Sequence, residues 1–119
     1  MALQPSASCN LFILRSPFPE RLKSFYESLL KTTFEHHTDH CSSHYAASLG
    51  DVVIEIYLTK SALPAHDGIG FRVESIKAAI ERVGEQYVRR PTAQSPYGLA
   101  TLLRDPDNRI VHLTEIESD

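Results

Sequence analysis

Apolar residues along this chain change period several times, and each change marks an element. Residues 10–15 (N-L-F-I-L-R) form an apolar run read as a strand. Pro17 and Pro19 stop it, and proline suits a first helical turn. Phe18, Leu22, Phe25, Tyr26, Leu29 and Leu30 then recur at helical spacing, which predicts a helix ending near Lys31. Residues 32–40 read as a polar strand, 41–43 as a turn and 44–49 as a third strand. After Gly50-Asp51 comes V-V-I-E-I-Y-L (52–58), the strongest strand in the sequence, with Glu55 in its middle. Residues 59–67 are a connector, and 69–73 a strand. Ile76, Ala79, Ile80 and Val83 predict a second helix, with Ser75 as N-cap and Gly84 as its stop. Residues 86–90 read as a strand ended by Pro91. Residues 99–104 and 109–114 read as two more strands around the turn D-P-D-N, where Asn108 suits a positive φ. His112 interrupts the last strand much as Glu55 interrupts the fourth.

The order strand, helix, three strands therefore occurs twice. V-I-E-I superposes on I-V-H-L, so Glu55 and His112 hold matching positions, 112 − 55 = 57 residues apart. The first and fifth strands align at nearly the same offset, with Leu11 against Ile69 (69 − 11 = 58).

Length and charge narrow the reading. The 119 residues suit one domain, with a first module at about 9–59 and a second at about 67–115. Hydrophobic residues make up 42% of the chain, enough for a core. A net charge of −3 without a Lys/Arg run argues against nucleic acid as a partner. No apolar stretch approaches a membrane span. The opening residues M-A-L-Q-P-S lack the basic and apolar parts of a secretory leader, and the two cysteines form no C-x-x-C. The expectation is a cytoplasmic domain with reduced thiols.

Four stretches carry a family resemblance: L-K-S-F-Y-E-S-L-L (22–30), V-V-I-E-I (52–56), G-F-R-V-E-S (70–75) and P-Y-G-L-A-T-L-L-R-D-P-D-N-R-I-V-H-L-T-E (96–115). In this order and spacing the chain resembles the vicinal oxygen chelate superfamily of glyoxalase I, bleomycin-resistance proteins and ring-cleaving dioxygenases. The resemblance covers residues 10–115. It implies an α+β fold of two βαβββ modules, each curling its sheet into a half-open cup. It also implies a homodimer in which sheets of both copies enclose each ligand cavity. Metal-dependent members place ligands on the first and last strands of each module, which by match are Leu11, Glu55, Ile69 and His112. Leu11 and Ile69 cannot bind a metal. Lys31 and Asn108 stand where the family has glycine.

Glu55 and His112 are the candidate catalytic pair. A carboxylate facing an apolar cup can act as a base, whereas a purely structural Glu55 would need an obvious partner. Leu11, Arg15, Tyr57, Ile69, Phe71 and Tyr97 are the candidate ligand-binding residues, Arg15 offering charge to an anionic group. His36, His37, His40, Cys41 and His44 read as a polar surface hairpin, because neighbours on a strand face opposite sides. Neither Cys9 nor Cys41 has a usable base beside it. Two functions follow. The first is metal-independent binding of a small, largely apolar molecule, as in antibiotic-sequestering resistance proteins, with no cofactor. The alternative is a glyoxalase-like lyase or isomerase using Glu55 and His112, in which a divalent metal or Arg15 stabilises the enediolate.

Overall fold

The computed structural model describes residues 9–38, 43–60, 68–96 and 98–115. The N-terminal lead, His40, Cys41, the connector at 61–67 and Tyr97 lie outside the described residues. In chain order the elements are β1 (Leu11–Ser16), α1 (Pro19–Leu30), β2 (Glu35–Thr38), β3 (Ser43–Leu49) and β4 (Val52–Leu58). The second set is β5 (Gly68–Val73), α2 (Ile76–Val83), β6 (Val88–Ser95), β7 (Gly98–Arg104) and β8 (Ile110–Glu115). The fold is α+β and consists of two βαβββ modules.

Each module is one four-stranded sheet, ordered β1-β4-β3-β2 in the first and β5-β8-β7-β6 in the second. In both, the first strand runs parallel to the last and the others pair antiparallel. The helix between the parallel strands covers one face of its sheet, because such strands need a crossover connection.

Local chemistry sets the helix ends. Pro19 opens α1, and the Ser16 hydroxyl accepts the Phe18 N–H at 3.0 Å. Lys31 caps its C-terminus in the left-handed region at φ 53°, and Asn108 takes φ 67° in the last turn. These two are the only non-glycine residues with positive φ among the described residues, so both glycine replacements keep glycine-like backbone. Ser75 caps α2 by accepting the Ala78 N–H at 3.1 Å, and the Glu115 carboxylate accepts the Ile76 N–H at 2.9 Å.

Two expected strands change. β2 starts at Glu35, later than expected, and spans Glu35–Thr38 among the described residues. Pro91 does not end β6 but lies inside it. A 3-10 turn at Glu85–Tyr87 replaces the first part of the expected strand. β6 is an edge strand whose pairing slips once before Pro91, between Val88 and Arg90, and once across it, between Arg90 and Ala93. An edge tolerates a residue without an N–H.

One core joins the modules. Leu14, Ile54 and Ile56 from the first sheet and Leu103, Val111 and Leu113 from the second cluster with Leu22, Phe25, Tyr26 and Leu29 of α1 and Ile76 and Ala79 of α2. The D-P-D-N turn is docked onto α1. The Asp105 carboxylate is fully buried and accepts from the Tyr26 hydroxyl (2.7 Å), the Arg109 guanidinium (2.6 Å) and the N–H groups of Asp107 and Arg109 (2.9 Å each). Burial pushes the Tyr26 phenol well above its ordinary pKa, and the Asp105 charge adds to that. Burial works to lower the Arg109 pKa, but the charge of Asp105 outweighs it and the shift is upward. Arg21 adds a second tie, to the Asp107 carboxylate at 2.9 Å. Among the described residues no helix is long and apolar enough to cross a membrane.

Candidate functional site

Alternation along each strand divides the sheets into a helix-covered face and a helix-free face. In β4, Ile54 and Ile56 are buried beneath α1, so Val53, Glu55 and Tyr57 point the other way. In β8, Val111 and Leu113 are buried, so Ile110, His112 and Thr114 point the other way. Both polar interruptions therefore occupy the helix-free faces of their own sheets.

Strand register fills in the first face. Across β1 and β4, Leu11 lies opposite Val53, Ile13 opposite Glu55 and Arg15 opposite Tyr57. Across β3 and β4, Ala46 lies opposite Glu55 and His44 opposite Tyr57. His37 of β2 lies opposite His44. The result is a half-buried carboxylate with partners. The Tyr57 hydroxyl donates to Glu55 Oε1 at 3.1 Å, and His44 Nε2 lies 3.4 Å from Oε2. The His44 ring stacks on Tyr57 (centroids 4.6 Å apart) and faces His37 on its other side (5.6 Å). His44 is 9% exposed, and its Nδ1 finds no hydrogen-bond partner among the described residues. Glu55 thus has the partner that a structural carboxylate needs. Each carboxylate oxygen accepts two hydrogen bonds, so both keep room for a donor from a ligand.

The second face is barer. Gly70 lies opposite His112 and Gly68 opposite Ile110. A Cβ at Gly68 would sit 3.5 Å from His112 Cδ2 and Nε2, so the imidazole lies over bare backbone. His112 is exposed, and no hydrogen bond or ion pair of its side chain appears among the described residues. Leu102 and Arg90 continue its row across β7 and β6. Glu55 and His112 sit on different sheets that share no strand pairing.

Of the other candidates, Leu11, Arg15 and Tyr57 share the face of Glu55. Ile69 and Phe71 do not share the face of His112. Ile69 lies opposite the buried Val111, is 6% exposed and belongs to the core, and Phe71 packs against that core with its ring 5.9 Å from Tyr26. The cause is a one-residue offset. The matched pairs are Ile13 with Gly70 (70 − 13 = 57), so the whole repeat runs at 57 and not 58. One residue of slip moves every side chain of a strand to the other face. His36 packs toward Tyr45 while His37 turns to His44, as neighbours on a strand must.

His44 is the site residue that its hairpin reading missed. The two-residue turn Gly50-Asp51 fixes the β3–β4 register at Leu49 opposite Val52. Counting back pairs Ala46 with Glu55 and His44 with Tyr57, a diagonal neighbour of Glu55.

The residues present do not fit the metal site that the family resemblance implies. The first-strand residues opposite Glu55 and His112 are Ile13 and Gly70, and neither has a donor atom in its side chain. Among the described residues, no three His, Cys, Asp or Glu side chains are grouped to hold an ion.

Solved structures show the fold. An antibiotic-binding protein, TnmS3 from Streptomyces sp. CB03234, superposes with a TM-score of 0.75 at 16% identity over 97% of this chain and 100% of its own. A glyoxalase/bleomycin resistance protein from the same organism gives 0.71 at 18% identity over 91% and 100% of the two chains. This chain has the vicinal oxygen chelate fold. A glyoxalase-related enzyme from Fulvimarina pelagi gives 0.69 at 15% identity over 92% and 88%. No protein-family model matches the sequence, and a search of curated proteins finds no match. The neighbours of this fold include both an antibiotic-binding protein and a glyoxalase-related enzyme, and the likeness fixes architecture alone.

Proposed function

We propose that this protein binds a small, largely apolar molecule without a metal, in a cavity walled by the helix-free faces of two copies of the chain. The observation that carries this is the surround of Glu55. Leu11 and Ile13 are 44% and 46% exposed beside a partnered carboxylate. Apolar surface around a few fixed polar groups is the composition of a ligand pocket. Charge supports the pairing of copies. The first face carries Glu35 and Glu55 against one cation, Arg15, whereas the second carries Arg72, Arg90 and Arg104 and, among the described residues, no carboxylate. The first face of one copy is thus complementary to the second face of another. The antibiotic-binding neighbour supports a small-molecule ligand of the antibiotic class.

The test is native mass spectrometry of the purified protein against a panel of apolar antibiotics. A dimer with one ligand per cavity is expected, and Ile13→Lys should abolish the complex. Binding that survives Ile13→Lys, or a monomer by light scattering at micromolar concentration, overturns the reading. One equivalent of Zn²⁺, Ni²⁺ or Fe²⁺ per chain, lost on Glu55→Ala, overturns the metal independence.

The 3.4 Å approach of His44 to Glu55 favours a second reading, a lyase or isomerase in which Glu55 moves a proton beside a carbonyl. Turnover of a 2-oxoaldehyde adduct, lost in Glu55→Gln, would select it over simple binding.

A further inference from the structure

On the helix-covered side of the first sheet, a cleft of about 630 Å³ opens between the first turn of α1 and strands β2 and β3. Its walls include Phe18, Glu20, His36 and Tyr45, and its floor Ile56 and Leu58. Phe18 and Leu58 are 58% and 61% exposed, so its mouth is apolar. The volume suits a drug-sized molecule.

The charges of the cleft do not balance. Arg21 is neutralised by Asp107 at 2.9 Å, and Lys23 by Glu27 at 3.3 Å. The His36 ring is engaged with the Ser43 hydroxyl. Glu20 has only the Tyr45 hydroxyl, at 3.4 Å, and no cation pairs with it among the described residues. The aromatic walls already attract positive charge. The Arg21 guanidinium lies 4.7 Å from the Phe18 ring centre, and Lys23 Nζ lies 5.4 Å from that of Tyr45. A surplus carboxylate beside aromatic faces and an apolar floor is the chemistry that holds an organic cation.

We propose that this cleft is a second ligand site, which takes an organic monocation with an apolar or aromatic body. It lies on the opposite side of the sheet from Glu55, so it stands or falls apart from the function proposed above.

Two probes of one shape and opposite charge test it, tetraphenylphosphonium and tetraphenylborate, followed by calorimetry and by amide shifts in NMR. Saturable binding of the phosphonium is expected, with shifts at Phe18, Tyr45 and Leu58, and borate binding at least tenfold weaker. Glu20→Gln should weaken the phosphonium at least fivefold. Leu58→Lys, at an equally exposed position, should abolish its binding. Circular dichroism checks that both variants fold. Equal or tighter binding of the borate, an unchanged constant in Glu20→Gln, shifts confined to the face of Glu55, or no saturable binding overturns the proposal.

Discussion

The two modules share a plan and differ at every matched functional position. Glu55 is half-buried, bonded by Tyr57 and approached by His44, whereas His112 stands exposed over two glycines. The turn before β4 is the short, exposed Gly50-Asp51, whereas the turn before β8 is locked to α1 through Asp105. Helix α1 ends on a strained Lys31, and α2 on Gly84. A repeat fixes where a residue sits on the sheet, and its neighbours decide what it can do there.

The turns should show the largest contrast. Asp105→Ala strands the Arg109 charge, the Tyr26 hydroxyl and two N–H groups, and is expected to cost about 3–5 kcal/mol in urea unfolding. Asp51→Ala, at the equivalent turn, should stay within about 0.5 kcal/mol. Similar costs for the two would break the comparison.

Tyr26 sharpens the same contrast through pH. Its folded pKa lies above its unfolded value near 10, so the folded state keeps a proton that the unfolded chain gives up. The stabilisation is therefore whole below about pH 10 and lost as pH rises beyond it. Tyr26→Phe should cost about 1–2 kcal/mol at pH 7 and flatten the fall in stability above about pH 10.

At the helix-free faces, Glu55→Gln should leave the fold intact and weaken ligand binding by more than about tenfold, about 1.4 kcal/mol. His112→Gln should change it by less than about threefold, because among the described residues the imidazole has no partner to hold it in one pose. The reverse order in titration would show that the barer face dominates recognition.

The smallest effects belong to the helix stops. Gly84→Ala forces a Cβ onto φ 108° and against the Gln86 carboxamide, and should cost about 1 kcal/mol. Lys31→Gly should add about 0.5 kcal/mol, since it relieves left-handed strain at some entropic cost. Thermal melts of both variants measure the pair.

Much of this was legible in the residues. β4 coincides with its β-branched run, and α2 with its cap, its periodicity and its glycine. Asn108 takes the positive φ that its turn chemistry suggests. The face of β5 was not legible, because its glycines at 68 and 70 carry no pattern, and Ile69 and Phe71 look alike on either side of a sheet. The pairing of His44 with Glu55 was hidden by neighbouring histidines of opposite orientation, although the turn at 50–51 contained the register. Pro91 reads as a stop unless the strand is known to be an edge, and edges are set by the whole sheet.

The glycines of β5 also leave this protein open to retuning. A methyl group at Gly70 would meet nothing closer than the Cβ of His112, at 3.7 Å, and would touch none of the core. Side chains of graded size can therefore be grown at that position one at a time. Each would reshape the space beside His112 while the packing that holds the two modules together stays as it is. If two copies wall the cavity as proposed, selectivity and stability are then written at separate positions, and substitutions at Gly70 should move ligand preference while the melting temperature stays nearly constant.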